Sequence, residues 1–275
     1  MKKYFFTLII GLAFFSSCEE QPVVIPEFVV EEGNRKVMIE ELTGVSCAPC
    51  FDGAAVIEDI ISSFPNRVIL NGIHGAFQAE PTSNSKYDFR YPDAEAMENT
   101  FFFFGKPSAA IDRVLFDDQE EVMIGDRDTW KSKVVERLAI PSPLLLTSTV
   151  TYDASSRTSA LNIAVQALED IPSAMKIYVI VNENDLIDSQ LSNAFGEVTD
   201  FKHKHVMKAS LSTINGDILG SDLNSGEVIL KNYTYTVPDE VNGEWIPDNM
   251  EFVYFVTAVE QNDEVLQAAS IHLTE

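Results

Sequence analysis

The sequence predicts an α/β domain followed by an all-β sandwich domain. Up to about residue 140, short apolar runs alternate with segments whose apolar residues recur every three or four positions, as in strands and amphipathic helices. After Pro141-Ser142-Pro143 the periodicity changes to two, which is typical of antiparallel strands. Two cysteines, Cys47 and Cys50, lie between the first strand-like run and the first helix-like segment, where they mark a candidate site.

Composition limits the classes of function. The chain has 275 residues, which is enough for two domains with proper cores, and its 45% hydrophobic content excludes a disordered chain. The formal net charge is −24. Such an acidic surface argues against binding of nucleic acid and against electrostatic docking on anionic lipid.

The N-terminal residues have the pattern of an export signal. Two lysines precede an apolar run, Tyr4–Phe15, that is too short to span a bilayer. The next residues end at Cys18 and resemble a bacterial lipobox, in which this cysteine receives a lipid. We expect a signal peptide at 1–17, a lipid on Cys18 that attaches the protein to the membrane, and an acidic tether at 18–34. The alternative is an ordinary secretory signal with an incidental Cys18.

The number of cysteines fits this interpretation. The chain has three, and an odd cysteine in an exported protein needs an explanation. A lipid on Cys18 leaves Cys47 and Cys50 as the remaining pair. The envelope outside the inner membrane is oxidising, so a disulfide persists there.

The first predicted domain covers 35–140. A strand at Val37–Leu42, a helix from Phe51 to Phe64 and a strand from Arg67 to His74 form a parallel crossover. A polar insertion at 75–92 is expected on the surface near the site. The later elements are a helix from Asp93 to Phe102, a strand from Ser108 to Leu115 and a helix capped by Asp128.

The second predicted domain covers 141–275. About seven strand-like runs with short polar turns suggest an antiparallel, immunoglobulin-like sandwich. The runs are Leu144 to Tyr152, Ala160 to Val165, Met175 to Val181, Lys204 to Leu211, Glu227 to Val237, Phe252 to Val259 and Glu264 to Leu273.

The spacing Cys47-x-x-Cys50 beside a β/α pattern is typical of a thioredoxin-like redox motif. A cysteine at the start of a helix faces unpaired N–H groups and the positive end of the helix dipole, which stabilise a thiolate. We expect Cys47 to be the more exposed sulfur and the nucleophile, and Cys50 to resolve the mixed disulfide. A structural disulfide is the alternative. Structural zinc needs about four ligands, and the sequence has no second C-x-x-C, so no metal or other cofactor is expected.

Two more residues are candidates for the site. Glu41 lies six residues before Cys47, the spacing at which thioredoxins hold a buried acid under the second sulfur, whereas Glu40 points to the opposite face. Pro107 precedes a strand where thioredoxin-like proteins have a cis-proline against the cysteine pair. The alternatives are a glutamate in solvent at the strand end and an ordinary turn proline.

The histidines carry weaker signals. His74 ends a strand at the edge where parallel sheets place their sites, and it could approach the sulfurs. With the two cysteines it suggests a copper-handling alternative, because these are ligands suited to Cu(I). His203 and His205 alternate along one predicted strand and share a face, which indicates a solvated strand face rather than a metal site.

Several motifs together resemble one family. Thr43-Gly44-x-x-Cys47-x-x-Cys50, Gly105-x-Pro107-Ser108 and the closing 262–270 segment resemble the Omp28-related outer-membrane lipoproteins, over nearly all of the mature chain. The first half is also similar to TlpA-type thioredoxins through Cys-Ala-Pro-Cys, although Ser46 stands where thioredoxins usually have Trp. The resemblance implies an outer-membrane location and a thioredoxin-like fold, but no defined reaction.

The sequence thus favours a lipid-anchored envelope protein with thiol–disulfide exchange as its activity. Its partners would be envelope proteins with thiols or disulfides. The alternative is a non-catalytic binding or scaffold lipoprotein whose cysteine pair is a static disulfide, and copper handling is a third possibility. The direction of electron flow does not follow from these residues.

Overall fold

The computed structural model describes residues 33–259 and 263–275. The expected signal peptide, Cys18 and nearly all of the tether lie outside the described residues. Within them the chain is mostly β, with thirteen strands and three α-helices. In this part of the chain no helix is long and apolar enough to cross a membrane.

The elements are numbered in chain order. The helices are α1 Cys50–Ser63, α2 Pro92–Glu98 and α3 Trp130–Leu138. The strands are β1 Val37–Leu42, β2 Val68–Ile73, β3 Ser108–Ile111, β4 Leu144–Asp153, β5 Thr158–Ala167, β6 Met175–Glu183, β7 Leu186–Ser192, β8 Gly196–His203, β9 Val206–Ser210, β10 Asp217–Gly220, β11 Val228–Thr236, β12 Met250–Ala258 and β13 Glu264–His272.

Strand β1 lies at the centre of the site. It pairs in parallel with β2 and antiparallel with β3, and all six of its residues are buried. Helices α1 and α3 cover one face of these strands with Ile57, Ile60 and Trp130, which form one core. The crossover β1–α1–β2 therefore matches the expectation from the apolar periodicity.

One sheet contains strands from both halves, in the order β13-β12-β6-β9-β2-β1-β3, with β10 paired to β6. The junction is the parallel pair Gly72 and Val206, where the Gly72 N–H donates to the His205 carbonyl at 2.8 Å. The expectation of two separately packed units at 35–140 and 141–275 is therefore wrong. The Pro-Ser-Pro break at 141–143 lies between α3 and β4, and a local break carries no information on which distant strand edges pair.

A second layer completes the β-rich half. Strands β11, β5 and β4 form a three-stranded antiparallel sheet. Its inward residues Leu161, Ile163 and Val165 share a core with Val179 of β6 and Phe252 of β12. Alternating residues face this core along β5, which is the pattern that predicted a sandwich.

Strands β7 and β8 form a hairpin that the sequence did not predict. The hairpin lies over the turn between β1 and α1, where Leu186 packs against Val45. His203 ends β8 and is buried, whereas His205 lies between strands with a φ of +52°. The two histidines therefore do not share a solvated strand face. The turn between them reverses the chain from β8 into β9, and alternation along one strand does not apply.

Candidate functional site

Cys47 and Cys50 are joined by a disulfide, with their Cα atoms 5.3 Å apart. The Cys47 N–H donates to the Gly44 carbonyl, and α1 begins at Cys50 with Pro49 as its N-cap. Cys47 is 0% exposed and Cys50 is 1% exposed. The expectation that Cys47 is the more exposed sulfur is therefore wrong.

The cause of this burial is the β7–β8 hairpin. The Gln190 side-chain amide donates to the Cys47 carbonyl at 3.0 Å and to the Gly44 carbonyl at 3.2 Å. The Leu191 N–H donates to the Val45 carbonyl at 2.9 Å. On the other side Gly44 approaches residue 78 so closely that a Cβ would lie 2.1 Å from the Gln78 carbonyl oxygen. The cysteine turn is therefore enclosed from both sides.

Glu41 projects toward α1. It is buried, and among the described residues its Oε1 has no hydrogen-bond partner. Burial raises the pKa of Glu41 to about 8, against the opposing effect of the Lys106 charge. The carboxyl is therefore mostly protonated at neutral pH, so it can donate a proton and accept one.

Pro107 and Glu41 meet the same turn of α1. A Cβ at Gly53 would lie 2.9 Å from Pro107 Cγ and 3.3 Å from Glu41 Oε1. Gly53 lets the helix approach both residues one turn after Cys50. The Lys106–Pro107 peptide bond is cis, as the resemblance to thioredoxin-like proteins implied. Its functional role stays a prediction.

A buried ion pair lies next to these groups. Lys106 Nζ pairs with the Glu98 carboxylate, and both side chains are nearly inaccessible. The Phe77 N–H donates to Glu98 Oε1 at 3.1 Å, which holds the carboxylate in place. Burial lowers the pKa of Lys106, while the Glu98 charge opposes that shift. Residues of the 75–92 insertion are thus tied to the loop before Pro107.

The ring of His74, just after β2, lies close to the ring of His203 at the end of β8. Their ring centroids are 5.8 Å apart, and both pack on the ring of Phe89. Burial lowers the pKa of His74 well below its usual range and that of His203 to about 4, so both rings are neutral. In the described ranges no three His, Cys, Asp or Glu side chains are grouped closely enough to hold a metal ion.

A cavity of about 360 Å³ opens beside Cys50. Its walls come from α1, β1, β2 and the segment around the end of β8. The lining side chains include Glu41, Cys50, Phe51, Ile57, Leu70, His74, Gln190, Phe201 and His203. Cys47 is absent from this lining, so the two sulfurs have different surroundings.

Several of these residues escaped the sequence analysis. Gly53 carried a signal, because an isolated glycine inside an amphipathic helix often has a packing reason. Lys106 directly precedes Pro107, a predicted site residue, but was not itself predicted. Gln190 had no local signal, and His203 was interpreted as part of a solvated strand face, because the place of both residues in the site depends on a hairpin about 140 residues after the cysteines.

The family described as Outer membrane protein Omp28 matches residues 94–275. The chain belongs to the Omp28 family. This membership places the protein in the outer membrane of the cell envelope, as the sequence motifs predicted. A comparison with curated proteins finds no match.

Solved structures share the fold. HBP35 of Porphyromonas gingivalis superposes with a TM-score of 0.68 at 17% identity, over 88% of this chain and 76% of that one. A protein from Agrobacterium tumefaciens superposes with a TM-score of 0.52 at 9% identity, over 88% of this chain and 95% of that one. At such identities the likeness concerns the fold alone.

Proposed function

We propose that this Omp28-family protein carries out thiol–disulfide exchange in the cell envelope through Cys47 and Cys50. Its α/β part is thioredoxin-like in this proposal, and the strands after residue 143 form an immunoglobulin-like unit that shares its sheet. Cys47 attacks or is released as a thiolate, and Cys50 forms or resolves the second bond. Envelope proteins with thiols or disulfides are the partners.

One observation carries the proposal: a protonated, buried carboxyl lies against the helix turn that holds the disulfide. An unpaired polar group in such a position costs free energy of about 1–3 kcal/mol, and it offers no structural benefit in return. Glu41 can exchange a proton with the cysteine pair, and Pro107 packs on the same turn. A proton acceptor is needed in each direction of exchange, because every thiol must become a thiolate before it attacks.

The alternative is a binding or scaffold protein in which the disulfide is static. The enclosure of Cys47 by the hairpin favours this second function, since a folded partner cannot reach that sulfur until the hairpin moves. The two proposals differ in the stability of the disulfide. The disulfide of an exchange protein has a reduction potential above about −300 mV, whereas that of a structural disulfide is typically lower.

The deciding experiment is the equilibrium reduction potential of Cys47–Cys50 in a dithiothreitol redox buffer. We expect a value above about −300 mV. In the envelope, Cys50→Ser should trap mixed disulfides with partner proteins, while Cys47→Ser should trap far fewer. A much lower potential, together with no trapping by either variant, would leave the static disulfide as the explanation.

The lipid on Cys18 is a separate proposal that rests on the lipobox-like residues before it. Cys18→Ala should release the protein from the membrane fraction. Mass spectrometry of the mature N-terminus checks this directly, since an unmodified Cys18 would refute the anchor.

A further inference from the structure

The two sulfurs of the disulfide differ in how a reagent can reach them. The Cys47 side is closed by backbone and side-chain hydrogen bonds from β7, including Gln190 to the Cys47 carbonyl. The Cys50 side adjoins the cavity that α1 and β1 line. A reagent that fits this cavity can approach Cys50 while the hairpin stays closed.

The cavity has the size and lining of a small-molecule site. Its volume of about 360 Å³ is near the lower end of ligand pockets, which run from about 300 to 1,000 Å³. Phe51, Ile57 and Leu70 give it apolar walls. Glu41 Oε1 and His74 Nδ1 are both buried and, among the described atoms, have no hydrogen-bond partner. Apolar walls with a few unpaired polar groups are typical of a site for a small ligand.

We propose that this cavity binds a low-molecular-weight thiol, which attacks Cys50 rather than Cys47. This inference rests on the proposed function and names a substrate class for it. The cavity is too small for a folded domain, whereas a small thiol fits within it. A small thiol would then reduce the Cys47–Cys50 disulfide while the hairpin is closed. Protein partners would react with the cysteine pair only when the hairpin opens.

The reaction balances as two exchanges. The first thiolate attacks Cys50 Sγ, a mixed disulfide forms at Cys50, and the Cys47–Cys50 bond breaks to release the Cys47 thiolate. A second thiolate attacks the small molecule's sulfur, which releases the Cys50 thiolate and a low-molecular-weight disulfide. Two electrons pass from the two thiols to the protein. Their two protons end on Cys47 and Cys50, and the Glu41 carboxyl delivers the proton to Cys50.

The first test maps the sulfur that is attacked. The oxidised full chain is mixed briefly with 2-mercaptoethanol, and excess N-ethylmaleimide is then added to alkylate the free thiols. The sample is acidified and fragmented in a mass spectrometer. We expect the mercaptoethanol adduct on Cys50 and the maleimide on Cys47, in a ratio of at least about ten to one. Equal amounts, or the reverse order, would overturn the inference while leaving thiol–disulfide exchange intact.

The second test fills the cavity. Ala54 of α1 lines it and is half-buried, so Ala54→Leu adds bulk beside Cys50. We expect reduction by 2-mercaptoethanol to slow at least about fivefold. Ala154→Leu in the exposed β4–β5 turn is the matched control and should leave the rate unchanged, and thermal unfolding checks that both variants fold.

An unchanged rate in Ala54→Leu would also count against the cavity. If neither 2-mercaptoethanol nor a reduced thioredoxin reduces the folded protein, then the inference and the proposed function both fail. Locating the mercaptoethanol adduct therefore shows whether the wrong sulfur was proposed or whether the exchange reaction itself does not occur.

Discussion

The two faces of β1 carry neighbouring glutamates with opposite surroundings. Glu40 faces α2 and the β6–β12 strands, where Arg113 donates to both of its carboxylate oxygens at 2.6 and 2.7 Å. Arg113 also lies 4.3 Å from the ring centroid of Tyr178. Glu41 faces α1 and the disulfide, and the described residues give its Oε1 no hydrogen-bond partner. Both side chains are buried.

This difference in surroundings gives Glu40 a role in stability and Glu41 a role in proton transfer. A buried carboxylate with a bidentate guanidinium partner is compensated, and its loss affects folding. A buried carboxyl without a partner instead becomes neutral, which makes it a proton donor near neutral pH. Position on the strand decides which of the two roles each glutamate has, because successive side chains point to opposite faces.

The largest expected effect is on the Glu40 face. Arg113→Met keeps much of the apolar volume of the side chain but leaves Glu40 as an uncompensated buried charge. We expect a loss of about 3–5 kcal/mol in the free energy of unfolding, measured by urea denaturation. The control is Arg90→Met, because the Arg90–Asp88 pair is partly exposed and such pairs contribute at most about 1 kcal/mol. Similar losses in the free energy of unfolding of the two variants would show that the buried pair contributes no more to stability than the exposed pair.

The second prediction concerns pH and the Glu41 face. Burial raises the pKa of Glu41 in the folded chain from 4.5 to about 8. Between these values the unfolded chain loses its proton while the folded chain keeps it. The contribution of Glu41 to the free energy of unfolding is therefore fully present below about pH 4.5 and is lost as the pH rises to about 8.

Comparison with Glu41→Gln isolates this effect, since glutamine does not titrate. The free energy of unfolding of the native chain, relative to the variant, should fall by a few kcal/mol between about pH 4.5 and about pH 8, at about 1.4 kcal/mol for each pKa unit. Urea denaturation across this range measures it. A difference that stays constant with pH would mean that Glu41 titrates normally and is not a buried acid.

The sequence predicted the part of the site that depends on local pattern. The strand from Val37 to Leu42, the turn and the following helix appear where the apolar periodicity placed them. The opposite orientations of Glu40 and Glu41 follow from strand alternation. The cis bond at Pro107 came from resemblance, since a sequence alone gives no physical reason to expect it.

The β7–β8 hairpin, which encloses Cys47, could not be predicted from local sequence pattern. The segment that forms β7 contains Asp188, Ser189 and Gln190, which are polar yet buried. Backbone groups that are distant in sequence form hydrogen bonds with two of them: the Lys86 and Tyr87 N–H groups donate to the Asp188 carboxylate, and the Gln190 amide donates to the Gly44 and Cys47 carbonyls. Hydrophobic alternation cannot detect a strand whose inward residues are polar. For the same reason the exposure of Cys47 was predicted wrongly.

The smallest expected effect concerns the hydrogen bonds between the β7–β8 hairpin and the cysteine turn. Gln190→Ala removes the amide that donates to the Cys47 and Gly44 carbonyls, and each such hydrogen bond contributes about 1 kcal/mol. The two bonds together contribute about 2 kcal/mol, and about 1.4 kcal/mol changes an equilibrium tenfold, so opening of the hairpin over Cys47 should become about thirtyfold more frequent. The rate at which a reduced thioredoxin reduces Cys47–Cys50 should rise by the same factor. Gln166→Ala on β5, which belongs to the β11-β5-β4 sheet and not to the hairpin, is the control and should not change the rate. An unchanged rate in Gln190→Ala would show that the hairpin does not limit access to the disulfide, and the burial of Cys47 would then have no consequence for exchange.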